Sequence, residues 1–248
     1  METYFIGFDI GASSIKAVVV KGKKIIRKRI SHTPDNLESL LACLIEILGR
    51  LTVGINPRKI KGIGFGLAGT FDLERRKVLR SANIKYLTGQ SLKKLLQQKF
   101  RNYRVELEND VHCFLLAEKK IGQAKKFKSV FYLTLGTGIG GAWMTDRRIF
   151  IGAHGAAGEI GHTIINIVNQ KGFSFEELAA NQFVRGKLGF DAVEAWQRAR
   201  KGDRRSQAVL DELGRNLGVG LANVINVFDP EAIFLAGGIS LAKKFIQN

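Results

Sequence analysis

Residues 129–151 read SVFYLTLGTGIGGAWMTDRRIFI. The run 129–135 is rich in β-branched, aromatic and other apolar side chains, a glycine-rich turn interrupts it, and further strands are predicted at 139–145 and 148–151. The same order opens the chain, where residues 3–10, 15–20 and 24–30 read as short strands joined by glycine-containing turns. A repeated pattern of strand, glycine turn, strand and strand predicts two α/β lobes, each built on an antiparallel meander.

The segments between the repeats complete the first lobe. Leu37, Leu40, Leu41, Leu44, Ile45 and Leu48 recur at helical spacing, with Asp35 expected as the cap. A buried strand is predicted over Ile60–Leu67, a helix over Ser91–Phe100, and a strand over Arg104–Leu107 that runs into Glu108-Asn109-Asp110. A helix from Val111 to about Gln123 then leads into the second repeat. This organisation predicts an N-terminal lobe over 1–108 and a C-terminal lobe over 109–248, facing each other across a cleft that holds the active site.

Composition sets the outer limits. With 248 residues and 45% hydrophobic content, the chain has ample material for buried cores. No run of 18 or so apolar residues is present and the start METYFIGFDIG lacks a basic leader, so a cytoplasmic location without membrane association is expected. Cys43 and Cys113, the two cysteines, lie inside helical apolar patterns without CxxC spacing and read as core residues. The formal charge of +17 favours anionic partners. Its densest stretches, KGKKIIRKR (21–29) and QRARKGDRR (197–205), fall on an expected edge hairpin and an exposed helix end, which reads as solvated surface.

Three short patches carry chemistry. In Gly136-Thr137-Gly138-Ile139-Gly140-Gly141, so many glycines between β-rich runs are costly in conformational entropy unless something must come close to the backbone. Phosphate oxygens, which bind bare N–H groups, are such a partner. The first hairpin, Asp9 to Lys16, offers a second cradle: Gly11 for the turn, Ser13 as a donor, Lys16 as a positive charge, and Asp9 for magnesium, through water. At the end of a strand, Asn109 and Asp110 pair an amide that orients a hydroxyl with a carboxylate of ordinary pKa near ~4 that accepts its proton. Together these are the parts of phosphoryl transfer to an alcohol.

At this point the chain resembles the ROK (repressor, ORF, kinase) family, in the sugar kinase, heat-shock protein and actin superfamily. The likeness runs from Asp9 through GLAGTFD (66–72), SANIKY (81–86), ENDVHCFLLAE (108–118), the GTGIGG turn and GAAGEIGH (155–162) to DPEAIFLAGGIS (229–240). It implies a two-lobed actin-like ATPase fold with duplicated mixed-sheet domains. It also implies a kinase that transfers phosphate from ATP, with magnesium, to a hexose or amino-sugar. By resemblance Asp110 is the catalytic base, Asn109 fixes the sugar, and Gly69, Asn83, Glu159, His162 and Glu176 contact it. Gly136, Thr137, Gly138 and Gly140 join the first turn around the phosphates, and Gly237 and Gly238 lie near the adenosine.

The departures from the family pattern are specific. Family members hold zinc with the counterpart of His162 and three cysteines in a short insert. Here TIINIVNQKGF follows His162 without cysteine and Ser174 stands at the last cysteine's place, so zinc is not expected. Ser174 and Glu177 form an S-x-x-E capping box. Ala12 replaces a usual glycine, and the sequence ends at Asn248 where relatives continue through another strand and a helix. The family's repressors carry a helix-turn-helix ahead of the kinase-like fold; with the first strand starting by Tyr4, no DNA partner is expected. A polyphosphate-dependent glucokinase and a non-catalytic sugar-sensing regulator are the alternatives, and a homodimer is a family expectation.

Overall fold

The computed structural model describes residues 2–239. Two compact units emerge: one holds residues up to Phe114 together with Gly152–Ala156, the other Leu115–Ile151 and the chain from Ala157 onward. The first unit therefore includes Asn109 and Asp110, which the sequence reading assigned to the second lobe.

The first unit opens with β1 (Tyr4–Ile10), β2 (Ser14–Lys21) and β3 (Lys24–His32), followed by α1 (Leu37–Leu51), β4 (Ile60–Leu67), the short pair β5 (Thr70–Phe71) and β6 (Val78–Arg80), α2 (Leu92–Lys99) and β7 (Val105–Asn109); α3 (Asp110–Ile121) belongs to it as far as Phe114 and to the second unit from Leu115. Its main sheet has the order β3-β2-β1-β4-β7. The meander β1–β2–β3 is antiparallel, whereas β4 and β7 run parallel to β1. Alternation decides which face is covered: Ile6, Phe8 and Ile10 of β1, Ile15, Ala17 and Val19 of β2, and Ile63, Phe65 and Leu67 of β4 are all buried, and α1 and α2 contribute to the same core. Phe8 and Phe65 stack at 4.9 Å between ring centroids.

Two local expectations need correction. Asn36, not Asp35, caps α1: its extended backbone lets Oδ1 accept from the Ser39 N–H at 2.9 Å. Ile45, expected on the buried face, is exposed, and Ile47 is buried in its place, because the covered stripe turns with the 3.6-residue period.

The second unit repeats the scheme. β8 (Val130–Leu135), β9 (Ile139–Thr145) and β10 (Arg148–Phe150) form an antiparallel meander, and β13 (Ala232–Ala236) runs parallel to β8, giving the order β10-β9-β8-β13. The relation of β13 to β8 is that of β4 to β1, which is the duplication read from the sequence. Between β10 and β13 come the hairpin β11 (Ile164–Val168) and β12 (Lys171–Ser174), then α4 (Phe175–Ala179), α5 (Asn181–Leu188), α6 (Ala192–Ala199) and α7 (Arg204–Phe228). Phe131, Leu133, Phe175, Val184, Leu210 and Leu217 are central to its core. Among the described residues no helix is long and apolar enough to cross a membrane.

Candidate active site

In the first unit the register of three parallel strands assembles the site. Asp9 of β1 lies opposite Gly66 of β4, which lies opposite Glu108 of β7, and one step on Ile10, Leu67 and Asn109 align. The carboxyl ends of parallel strands are where α/β sheets place ligands, because the following loops leave there. Gly66 has a packing reason: a Cβ there would meet Cys113 Sγ at 3.2 Å and Asp110 Cα at 3.7 Å. The Cys113 thiol is pushed up to about 12 by burial and then by the nearby carboxylates Glu108, Asp110 and Asp9.

Asn109 uses both ends of its amide. Oδ1 accepts the N–H groups of Val111 at 2.8 Å and His112 at 3.1 Å, so it caps α3, while Nδ2 donates to the Gly69 carbonyl at 3.0 Å. Asp110 begins the helix, where the macrodipole favours an anionic side chain. Gly69 is itself gripped, since a Cβ there would stand 2.6 Å from the Arg80 carbonyl, and buried Ser81 donates to the Ala68 carbonyl at 3.1 Å. Gly69 and Asn109 are thus in direct contact, with exposed Asn83 two residues beyond the Ser81 anchor.

The first glycine turn is tied back on itself. Gly11 N–H donates to the Ser14 carbonyl at 3.0 Å and Thr33 Oγ1 to the Gly11 carbonyl at 2.7 Å. Lys16 pairs with Asp9 at 3.2 Å on the surface, and Ser13 is exposed in the bend.

In the second unit the turn after β8 closes through Gly136 N–H to the Gly138 carbonyl at 3.0 Å. The parallel neighbour β13 brings Gly237 beside it: Gly237 has φ +97° and a Cβ there would collide with the Leu135 backbone. Gly136 and Gly238 differ, because neither has a positive φ and, among the described residues, a Cβ on either would meet nothing within 4 Å.

The loop carrying Glu159 and His162 packs backbone to backbone on β9. A side chain at Gly141 would run into the Gly158 carbonyl, and one at Gly161 into the Ile139 carbonyl. Glu159 and His162 are both exposed at its tip, with Nε2 and Oε2 3.9 Å apart. Beyond it, β11 and β12 pair across the Asn169-Gln170 turn and deliver Ser174 to the start of α4, where Ser174 and Glu177 form the expected reciprocal capping box. Glu176 on the same helix is half-buried; its Oε2 accepts the Ile139 N–H at 2.8 Å. Among the described residues no three or more His, Cys, Asp or Glu side chains converge as a metal-binding group.

Sequence reading missed three residues around Asp110. Buried Arg75 forms an ion pair with Glu108 at 2.8 Å, and buried His112 places Nδ1 3.1 Å from the same oxygen. The histidine four residues after Glu108 was the available signal, since that spacing puts the pair on facing positions at a helix start.

Two units, each with a strand meander extended by a parallel strand and a glycine turn at its first hairpin, define an α/β protein of the actin-like ATPase fold. The chain belongs to the ROK family, whose model matches residues 5–248. It is 29% identical to the xylose repressor of Caldicellulosiruptor bescii, over 95% of this chain and 66% of that protein. It is 28% identical to the N-acetyl-D-glucosamine kinase of Vibrio parahaemolyticus, over 95% of this chain and 84% of that enzyme. The crystal structure of a ROK family glucokinase from Streptomyces griseus in complex with glucose and AMPPNP superposes with a TM-score of 0.82 at 25% identity, covering 98% of this chain and 86% of that one. The last residue of the 229–240 motif, Ser240, lies outside the described residues.

Proposed function

We propose that the protein is a sugar kinase that phosphorylates a hydroxyl of a hexose or N-acetylhexosamine from ATP, with Asp110 as general base. The observation that carries this reading is the placement of Asp110 beside Asn109 and Gly69 at the carboxyl ends of β4 and β7. Similarity to an N-acetyl-D-glucosamine kinase and to a glucokinase crystallised with glucose and AMPPNP supports both the acceptor and the donor.

In this reading the attacking hydroxyl gives its proton to an Asp110 oxygen as the bond to phosphorus forms, and Asn109 and Gly69 hold the loop geometry that aims the hydroxyl. Asn83, Glu159 and His162 contact other hydroxyls; Glu176 does so through Oε1 while Oε2 stays on the Ile139 N–H. The family resemblance assigns Gly11, Ser13 and Lys16 of the first unit, and Gly136, Thr137, Gly138 and Gly140 of the second, to phosphate binding, and Gly237 and Gly238 to the nucleoside. ATP supplies the phosphoryl group, and magnesium, held through water by Asp9, offsets its charge.

The decisive experiment is Asp110→Asn. Turnover should fall by about a hundredfold to ten-thousandfold, as for loss of a general base, while calorimetry still detects sugar binding. Wild-type kcat in that variant would remove the assignment. A second reading, a sugar-responsive regulator, draws on the similarity to the xylose repressor; it requires the wild-type chain to bind a sugar and leave ATP unconsumed.

A further inference from the structure

Arg75 and His112, both buried, and half-buried Glu108 form a polar cluster at the residues flanking Asp110, and the proposed reaction does not use it. Arg75 and His112 are 8% and 4% exposed, values that charged side chains reach only when paired. The guanidinium is held on two sides: Nε faces Glu108 Oε1 at 2.8 Å and one terminal nitrogen reaches the Asp72 carbonyl at 3.4 Å, while the other lies 3.4 Å from His112 Nδ1. Since Nδ1 is closer to the carboxylate, at 3.1 Å, the consistent tautomer carries its proton there and donates to Glu108.

Arg75 Nε and His112 Nδ1 converge on one oxygen, Glu108 Oε1, which also accepts the N–H of Asn109 at 2.9 Å. Burial pushes the Glu108 carboxyl up, but hydrogen bonds from His112 and the Asn109 N–H and the charge of Arg75 outweigh it, so the group sits below its ordinary value. The cluster is also strained. Arg75 has φ +55°, unfavourable for a side chain of its size, and sits under Gly155, where any side chain would collide with the Phe71 carbonyl. A buried ion pair is a poor source of stability because desolvation offsets its attraction, and strain held in place beside reacting groups points to function.

We propose that Arg75, Glu108 and His112 are positioning residues: they clamp the Asn109 backbone and so fix where the Asp110 carboxylate stands. This rests on Asp110 being the base. Glu108 accepts the N–H of Asn109, the residue before Asp110, and His112 ties it to the first turn of α3, so the backbone on both sides of Asp110 is held through one carboxylate.

The test compares Glu108→Gln, Arg75→Met, His112→Asn and the uncharged double variant Arg75→Met/Glu108→Gln, alone and in an Asp110→Asn background. The readouts are kcat, both KM values and thermal midpoint. Misplacing a reacting group by about an ångström costs up to roughly a hundredfold, so Glu108→Gln should lower kcat about tenfold to a hundredfold with KM for ATP within about twofold. In the Asp110→Asn background the same substitution should have no further effect. Where Glu108→Gln fails to fold because Arg75 is left unpaired, the uncharged double variant folds and shows the same loss of kcat. Wild-type kcat with only a lowered midpoint would overturn the proposal and leave the kinase reading intact. Full turnover in Asp110→Asn itself would overturn the base assignment and the clamp with it.

Discussion

Glu176 Oε2 accepts the backbone N–H of Ile139 at 2.8 Å, and its carboxylate fills the space that a Cβ on Gly138 would need. The glycine turn after β8 is thus held by a side chain 37 residues away in sequence. One of its N–H groups already has an anionic partner from the protein, and Gly138 is glycine because Glu176 lies on it.

Gly138→Ala should therefore act through Glu176. The obstructing atoms are the far end of a flexible side chain and φ at Gly138 is not positive, so the carboxylate moves away and the backbone stays. The lost charged hydrogen bond is half-exposed, and a cost of about 1 kcal/mol is expected, below the usual range for such bonds. KM for ATP should rise severalfold in Gly138→Ala, while in Glu176→Gln, which keeps an acceptor oxygen for the Ile139 N–H, KM for ATP should stay close to wild type whatever happens to KM for the sugar. Steady-state kinetics with urea denaturation checks this; an unchanged KM for ATP in Gly138→Ala would separate Glu176 from the turn.

A pair of glycines in α7 gives a stability test without reference to activity. A Cβ on Gly220 would enter the ring of Phe175, which is 0% exposed, whereas one on Gly218 would meet nothing. Gly220→Ala should cost about 1 to 3 kcal/mol by overpacking. Gly218→Ala should be neutral or stabilise by up to about 1 kcal/mol from helix propensity. Thermal melting of the two variants reads the contrast directly; equal midpoints would contradict the packing of α4 on α7.

How much of this was legible depends on the range of the interaction. The strands β1, β2, β8 and β9 were readable because alternation and glycine turns are local, and the Ser174–Glu177 box was readable because capping spans three residues. The hairpin β11–β12 was not assigned: Ile164, Ile167 and Val168 are exposed, so its pattern does not alternate between core and solvent. The Glu176–Ile139 bond and the Arg75–Glu108 pair join residues far apart in sequence, and no spacing rule encodes them. The cap of α1 was misplaced by one residue because Asp35 and Asn36 are chemically equal candidates, and only the backbone path selects Asn36.

Acid should act through Glu108. Its pKa is lowered from the ordinary 4.5, so the unfolded chain takes up this proton first as pH falls. The carboxylate's contribution to stability is whole above about pH 4.5 and is lost as pH drops through the lower folded value. Urea midpoints between pH 7 and pH 3 should fall more steeply for wild type than for the uncharged double variant Arg75→Met/Glu108→Gln. Parallel curves would show that the cluster does not titrate with folding.

Charge decides the donor. The net charge is +17, and Lys23, Lys24, Lys28 and Arg29 of the β2–β3 hairpin are exposed. Arg27 is already committed to the carbonyls of Leu51 and Val53 at 2.7 and 2.6 Å, and Lys16 to Asp9 at 3.2 Å. A long polyphosphate would extend past any local cradle and engage such dispersed cations, and exposed charges are screened beyond about 8 to 10 Å at physiological ionic strength. Its kcat/KM should then collapse with salt. In the proposed reading, ATP depends on the glycine turns and not on the hairpin. With glucose as acceptor, kcat/KM for ATP should exceed that for long-chain polyphosphate at every point of a salt series and vary less across it. The charge-reversal variant Lys24→Glu/Lys28→Glu should leave the ATP value unchanged. Preference for polyphosphate that vanishes with salt and with this variant would replace ATP as the donor and give the basic hairpin a place in the reaction.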